Sequence, residues 1–121
     1  MRILIVEDEY AVREVIALCL RRDGHRVEIA VNGREGLEKF QNGEFDLVIT
    51  DRVMPEMGGE KLICEIKKIA PNMPVILLSG TSDLMELPEE ILPTVLVQKP
   101  LTLEELRASI SAVFGNLNKK S

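Results

Sequence analysis

The chain contains no tryptophan, one tyrosine, three phenylalanines, one histidine and two cysteines among its 121 residues. Aromatic residues make up 3%, too few to build the stacking platforms that bind single-stranded nucleic acid. His25 stands alone, which speaks against a zinc site and against a Ser-His-Asp triad. Cys19 and Cys64 form no CxxC pair and sit in helical-looking segments, so they read as small hydrophobes in or near the core. No apolar run approaches the roughly 18 residues of a membrane span. The apolar start, Met1 to Val6, gives way to acid at once and has neither the length nor the cleavage site of a signal peptide. An excess of positive charge is also missing. Twenty acidic against fifteen basic residues give a net charge of -5, which argues against direct nucleic-acid binding by this chain.

What remains is a chain that is 45% hydrophobic and 29% charged. That balance suits one soluble, cytoplasmic domain over residues 1–117, with a polar tail, 118–121, that frays. Met1 directly before the first strand favours a natural start.

Four short apolar runs read as strands buried on both faces: Ile3–Val6, Leu47–Ile49, Val75–Leu78 and Val95–Val97. A fifth, His25–Ala30, alternates more and suggests an edge strand. Helical patterns lie between them. Val12, Val15, Ile16, Cys19 and Leu20 recur at helical spacing and stop at Asp23-Gly24. Asn32 with Glu35 starts a second helix, whose apolar face carries Leu37 and Phe40. Leu62, Ile63, Ile66 and Ile69 line a third, which ends at Pro71. In the last, Thr102 and Glu105 form a capping box ahead of Leu103, Leu106, Ile110, Val113 and Leu117. The fourth helix should be short or irregular, because Pro88 and Pro93 interrupt Thr81–Pro93. Its apolar residues Leu84, Met85, Leu87, Ile91 and Leu92 are too many for so short a piece, and some should stay exposed. The order is βα repeated five times, which predicts a doubly wound α/β fold with a five-stranded parallel sheet.

Ligands of such sheets bind beyond the carboxyl ends of the strands. Glu7 and Asp8 follow the first strand, with Glu9 behind them. Asp51 follows the third, Ser79 the fourth and Lys99 the fifth. Three carboxylates at neighbouring strand ends repel one another, and a hard divalent cation resolves the repulsion; oxygen ligands with retained water favour Mg²⁺. The Ser79 hydroxyl and the Lys99 ammonium suit an anion beside that cation. A phosphoryl group carried on one carboxylate fits the set best. Glu9 reads simply as a cap of the first helix.

Four pieces carry a family resemblance: Leu4-Ile5-Val6-Glu7-Asp8-Glu9, Asp51 to Gly59, Leu78-Ser79-Gly80 and Gln98-Lys99-Pro100. All four, in this order, resemble the receiver domain of two-component response regulators, over essentially the whole chain. The resemblance implies a flavodoxin-like fold with strand order 2-1-3-4-5. It also implies that Asp51 accepts a phosphoryl group from the phosphohistidine of a histidine kinase or phosphotransfer protein. Glu7 and Asp8 match the Mg²⁺-holding pair, Asp8 being the better candidate for a direct ligand, and Val53 matches the position whose backbone carbonyl also ligates the metal. Ser79 matches the switch hydroxyl and Lys99 the lysine that pairs with phosphate. Pro100 matches a proline that follows a cis peptide bond. Leu96 stands where many relatives carry an aromatic switch residue, so no aromatic swing can signal here. In this reading the domain is no enzyme beyond its own phosphotransfer and slow self-dephosphorylation.

A flavodoxin-type electron carrier would need a phosphate loop where Glu7-Asp8-Glu9 stands. A hydrolase with an aspartyl-phosphate intermediate would show a second Asp where Val53 stands. The remaining alternative is a receiver-like interaction module that phosphorylation does not control. The expected output surface, for an effector or a second copy, comprises residues 81–96 and 102–114.

Overall fold

A computed structural model of the chain describes residues 1–80, 86–92 and 94–118. Five strands, β1 (Arg2–Val6), β2 (Arg26–Ala30), β3 (Leu47–Asp51), β4 (Val75–Ser79) and β5 (Val95–Gln98), form one parallel sheet in the order β2-β1-β3-β4-β5. The alternating strand β2 is at one edge, as its half-polar pattern requires. Helices α1 (Tyr10–Arg22), α2 (Gly33–Asn42), α3 (Gly59–Ile69) and α4 (Leu103–Asn118) cover the faces. Between β4 and β5 a 3-10 turn, Glu89–Ile91, follows Pro88.

The two-residue period of the strands divides the core into two layers. Leu4, Val6, Val48, Val75 and Leu77 point to one side and pack with Phe40 of α2 and with Leu62, Ile63 and Ile66 of α3. Ile3, Ile5, Leu47, Ile49, Ile76, Leu78 and Val97 point to the other and meet Ile16 and Leu20 of α1 and Leu106 and Ile110 of α4. The expected caps form: Asn32 Oδ1 accepts from the Glu35 amide at 2.8 Å, and Thr102 Oγ1 from the Glu105 amide at 3.1 Å.

Several expectations need correction. Val15 and Ile69 belong to the right helices but are 54% and 53% exposed, so they lie outside the core. Ala17 takes the place of Val15 on the buried face of α1. Of the apolar residues between β4 and β5, some of which were expected to stay exposed, Leu87 and Ile91 are buried in the layer of α2 and α3. Leu92 is exposed, and the expectations for Leu84 and Met85 fall outside the described residues. Helix α4 runs to Asn118, one residue into the stretch expected to fray, and 119–121 lie outside the described residues. No described helix is long and apolar enough to cross a membrane.

Candidate functional site

The strand period also assembles the site. Glu7 continues the phase of Ile3 and Ile5, Asp51 that of Leu47 and Ile49, and Lys99 that of Val95 and Val97. All three therefore emerge on the same side of the sheet, the side of α1 and α4. Ladder-like bonds continue past the strand ends: Glu7 N–H to the Ala30 carbonyl at 3.1 Å, Arg52 N–H to Leu78 at 2.9 Å and Lys99 N–H to Ser79 at 2.7 Å. The site is thus fixed by backbone, and little of its position depends on loops.

Lys99 Nζ lies 3.0 Å from Asp51 Oδ2 and 3.2 Å from Glu7 Oε1. The Arg52 amide donates to Asp51 Oδ1 at 3.0 Å. Glu7 is fully buried, Asp51 is 6% exposed and Ser79 2%, whereas Asp8 is exposed. Val53 points its side chain outward, 79% exposed. Leu96 is half-buried on β5, opposite Leu77 in the ladder, and packs against the layer of α2 and α3. The Lys99–Pro100 peptide is cis, as expected. Glu9 occupies the N-cap position of α1, but its side chain makes no capping bond.

Burial pushes the Glu7 carboxyl up to about 8, and the neighbouring Asp51 carboxyl, by hydrogen bond and by charge, works in the same direction against Lys99. Burial pulls the Lys99 ammonium down, but its hydrogen bonds and attraction to Asp51 and Glu7 outweigh this and leave it raised. Glu7 therefore holds its proton far more tightly than an ordinary carboxyl when no cation is beside it.

A divalent cation suits this arrangement. Glu7, Asp8 and Asp51 offer oxygens that lie within 4.8 Å of one another. Glu7 Oε2 is buried without a hydrogen-bond partner, an unmet acceptor of the kind that a hard metal satisfies.

Two arginines at the site escape sequence reading. Arg13 is buried on α1 and donates from Nη1 to the Glu7 carbonyl at 3.0 Å. Its spacing from Ile16, Ala17 and Leu20, three, four and seven residues on, was the available signal, since it puts Arg13 on the buried face. Arg52 spans from Glu60 Oε2 at 2.9 Å to Ser79 Oγ at 3.3 Å. No spacing rule flags it, because Glu60 and Ser79 come from different elements.

Comparison with known proteins accords with this geometry. A family model described as the response regulator receiver domain matches residues 3–111, and the chain belongs to that family. It is 36% identical, over 98% of its length, to the uncharacterized transcriptional regulatory protein YkoG of Bacillus subtilis, of which it covers 53%. The chain spans about half, or less, of the length of the curated relatives it matches. Among solved structures, a response regulator receiver domain protein from Clostridium thermocellum superposes with a TM-score of 0.85 at 32% identity, covering 99% of this chain and 98% of that one. The response regulator TrrA of Thermotoga maritima, solved in complex with Mg²⁺ and BeF, gives a TM-score of 0.84 at 34% identity, covering 93% and 97%. The chain is thus a response-regulator receiver domain of two-component signalling.

Proposed function

We propose that Asp51 is the phosphoacceptor and that a histidine kinase or phosphotransfer protein is the donor. The observation that carries this reading is the position of Asp51. It is nearly buried at the centre of the strand ends, with one oxygen held by the Arg52 amide and the other by Lys99. A carboxylate oxygen attacks phosphorus, the P–N bond to the donor imidazole breaks, and its electron pair stays with the imidazole nitrogen. Lys99 then stays beside the new anion, and its raised ammonium keeps the charge that pairs with it.

Glu7, Asp8 and Asp51 would hold Mg²⁺, together with the backbone carbonyl of Val53. Bound there, Mg²⁺ supplies positive charge that offsets the charge on the transferred oxygens. Asp8, exposed at the rim, can reach a cation without losing an internal bond, whereas Glu7 must first give up its proton.

In this reading the domain catalyses only its own phosphotransfer and slow self-dephosphorylation, in the cytoplasm. Ser79 turns toward the phosphoryl group and passes the change to residues 81–96 and to the 102–114 face of α4, where an effector or a second copy docks. Exposed Leu92 beside exposed Glu86, Glu89 and Glu90 suits a partner that offers apolar and basic groups. Incubation with a phosphorylated histidine kinase tests the donor assignment. The expected result is Mg²⁺-dependent transfer of label to the chain; no transfer from any kinase or small phosphodonor would overturn it.

A further inference from the structure

Arg52 immediately follows the proposed phosphoacceptor. Its side chain is only 15% exposed, and its guanidinium is anchored by Glu60, in the first turn of α3, through Nε to Oε2 at 2.9 Å. The other end of the fork, Nη1, donates to the Ser79 hydroxyl at 3.3 Å. The direction of that bond matters. A guanidinium can only donate, so Ser79 Oγ is the acceptor here and its own proton is not used by this bond. A hydroxyl that accepts from a cation is a better donor to an anion, because the two bonds polarise each other.

We propose that Arg52 is a positioning residue for the switch: held by Glu60, it orients and polarises the Ser79 hydroxyl for donation to a phosphoryl group on Asp51. The proposal rests on the phosphoacceptor reading above. It gives the site a second cation beside Lys99, acting through Ser79. The Arg52 backbone holds Asp51 Oδ1 and its side chain holds Ser79, so one residue links the acceptor on β3, the hydroxyl on β4 and the start of α3.

The linkage predicts a specific non-additivity. With beryllofluoride and Mg²⁺ as the probe, Arg52→Met should weaken binding roughly tenfold, the size of one hydrogen bond to a charged group. Ser79→Ala should weaken it to a similar degree. The double variant should be no weaker than Ser79→Ala alone, because Arg52 acts through that hydroxyl. Thermal unfolding of each variant without probe separates folding from positioning. If Arg52→Met does not fold, Arg52→Lys carries the test. It keeps the charge but lacks the fork that spans Glu60 and Ser79. It should therefore weaken binding when Ser79 is intact and add nothing when combined with Ser79→Ala.

Four outcomes would overturn the idea. Wild-type affinity in the Arg52 variant, or fully additive losses in the double variant, means that Arg52 does not work through Ser79, while the phosphoacceptor reading stands. Beryllofluoride bound equally by wild type and Asp51→Asn, or by neither, overturns both readings.

Discussion

Lys99 and Glu7 stand 92 positions apart in the chain, yet Lys99 Nζ lies 3.2 Å from Glu7 Oε1. The sheet order makes this possible. Strands β1 and β5 are separated by β3 and β4, so the long lysine side chain must reach across the acidic centre, touching Asp51 on the way. The ammonium contacts both carboxyl groups and leaves Glu7 Oε2 unmet.

Asp8 is expected to contribute most of the metal affinity that mutation can remove without disturbing the fold. It is exposed, so Asp8→Asn should cost little stability yet weaken Mg²⁺ binding by about tenfold or more. Titration of the variant with Mg²⁺ decides this, and unchanged affinity would remove Asp8 from the ligand set.

Glu7 predicts a pH profile. Its carboxyl is raised from 4.5 to about 8, first by burial and then by Asp51. A group raised in the folded state contributes its stability below the unfolded value and loses it as pH climbs through the folded value. Metal-free protein should therefore lose stability at this site between about pH 4.5 and about pH 8. Saturating Mg²⁺ should flatten that slope, since a cation replaces the Glu7 proton. Calorimetry at pH 7 in buffers of different ionisation enthalpy should detect proton release on Mg²⁺ binding. A flat metal-free profile with no released proton would contradict the protonated Glu7.

Gly59 allows the start of α3 to approach β3. A Cβ there would collide with the Asp51 carbonyl oxygen and sit 2.9 Å from Leu77 Cδ1. Gly59→Ala should cost about 1–3 kcal/mol and shift the acceptor strand end. Chemical denaturation measures the first effect and the rate of labelling by acetyl phosphate the second. A variant of wild-type stability and labelling rate would show that the contact relaxes without consequence.

Leu87 and Leu92 should respond oppositely. Leu87 is buried beside Ile91 in the layer of α2 and α3, so Leu87→Ser should cost about 2–4 kcal/mol. Leu92 is 44% exposed, and Leu92→Ser should change stability by no more than about 0.5 kcal/mol. If Leu92→Ser also leaves any self-association unchanged, Leu92 is no part of a docking surface for a second copy.

Much of this could be read from the sequence because the relevant signals are local. Continuous apolar runs gave the buried strands β1, β3 and β4, whereas the run in β5, read as buried on both faces, is only partly buried because β5 is the other edge; the alternation of β2 gave its edge position. Asn32 with Glu35 and Thr102 with Glu105 gave two helix starts. Strand ends also placed Glu7, Asp51, Ser79 and Lys99 together, since a parallel sheet brings all its carboxyl ends to one edge. What escaped depends on contacts between elements. Periodicity assigns a face but not its depth: Val15 and Ile69 recur at helical spacing yet stay half exposed. Which of the apolar residues around Pro88 stay exposed was not legible, because it takes the 3-10 turn Glu89–Ile91 to bury Ile91 and leave Leu92 outside. The Arg52 bridge joins three elements and has no local signature.

The central claim is that Asp51 alone accepts the phosphoryl group. Its most direct test is the intact mass of wild type and of Asp51→Asn after incubation with acetyl phosphate and Mg²⁺. The account predicts that wild type gains the mass of one phosphoryl group, that chelation of Mg²⁺ suppresses the gain, and that Asp51→Asn gains nothing. An Asp51→Asn variant labelled to the same extent as wild type would contradict it.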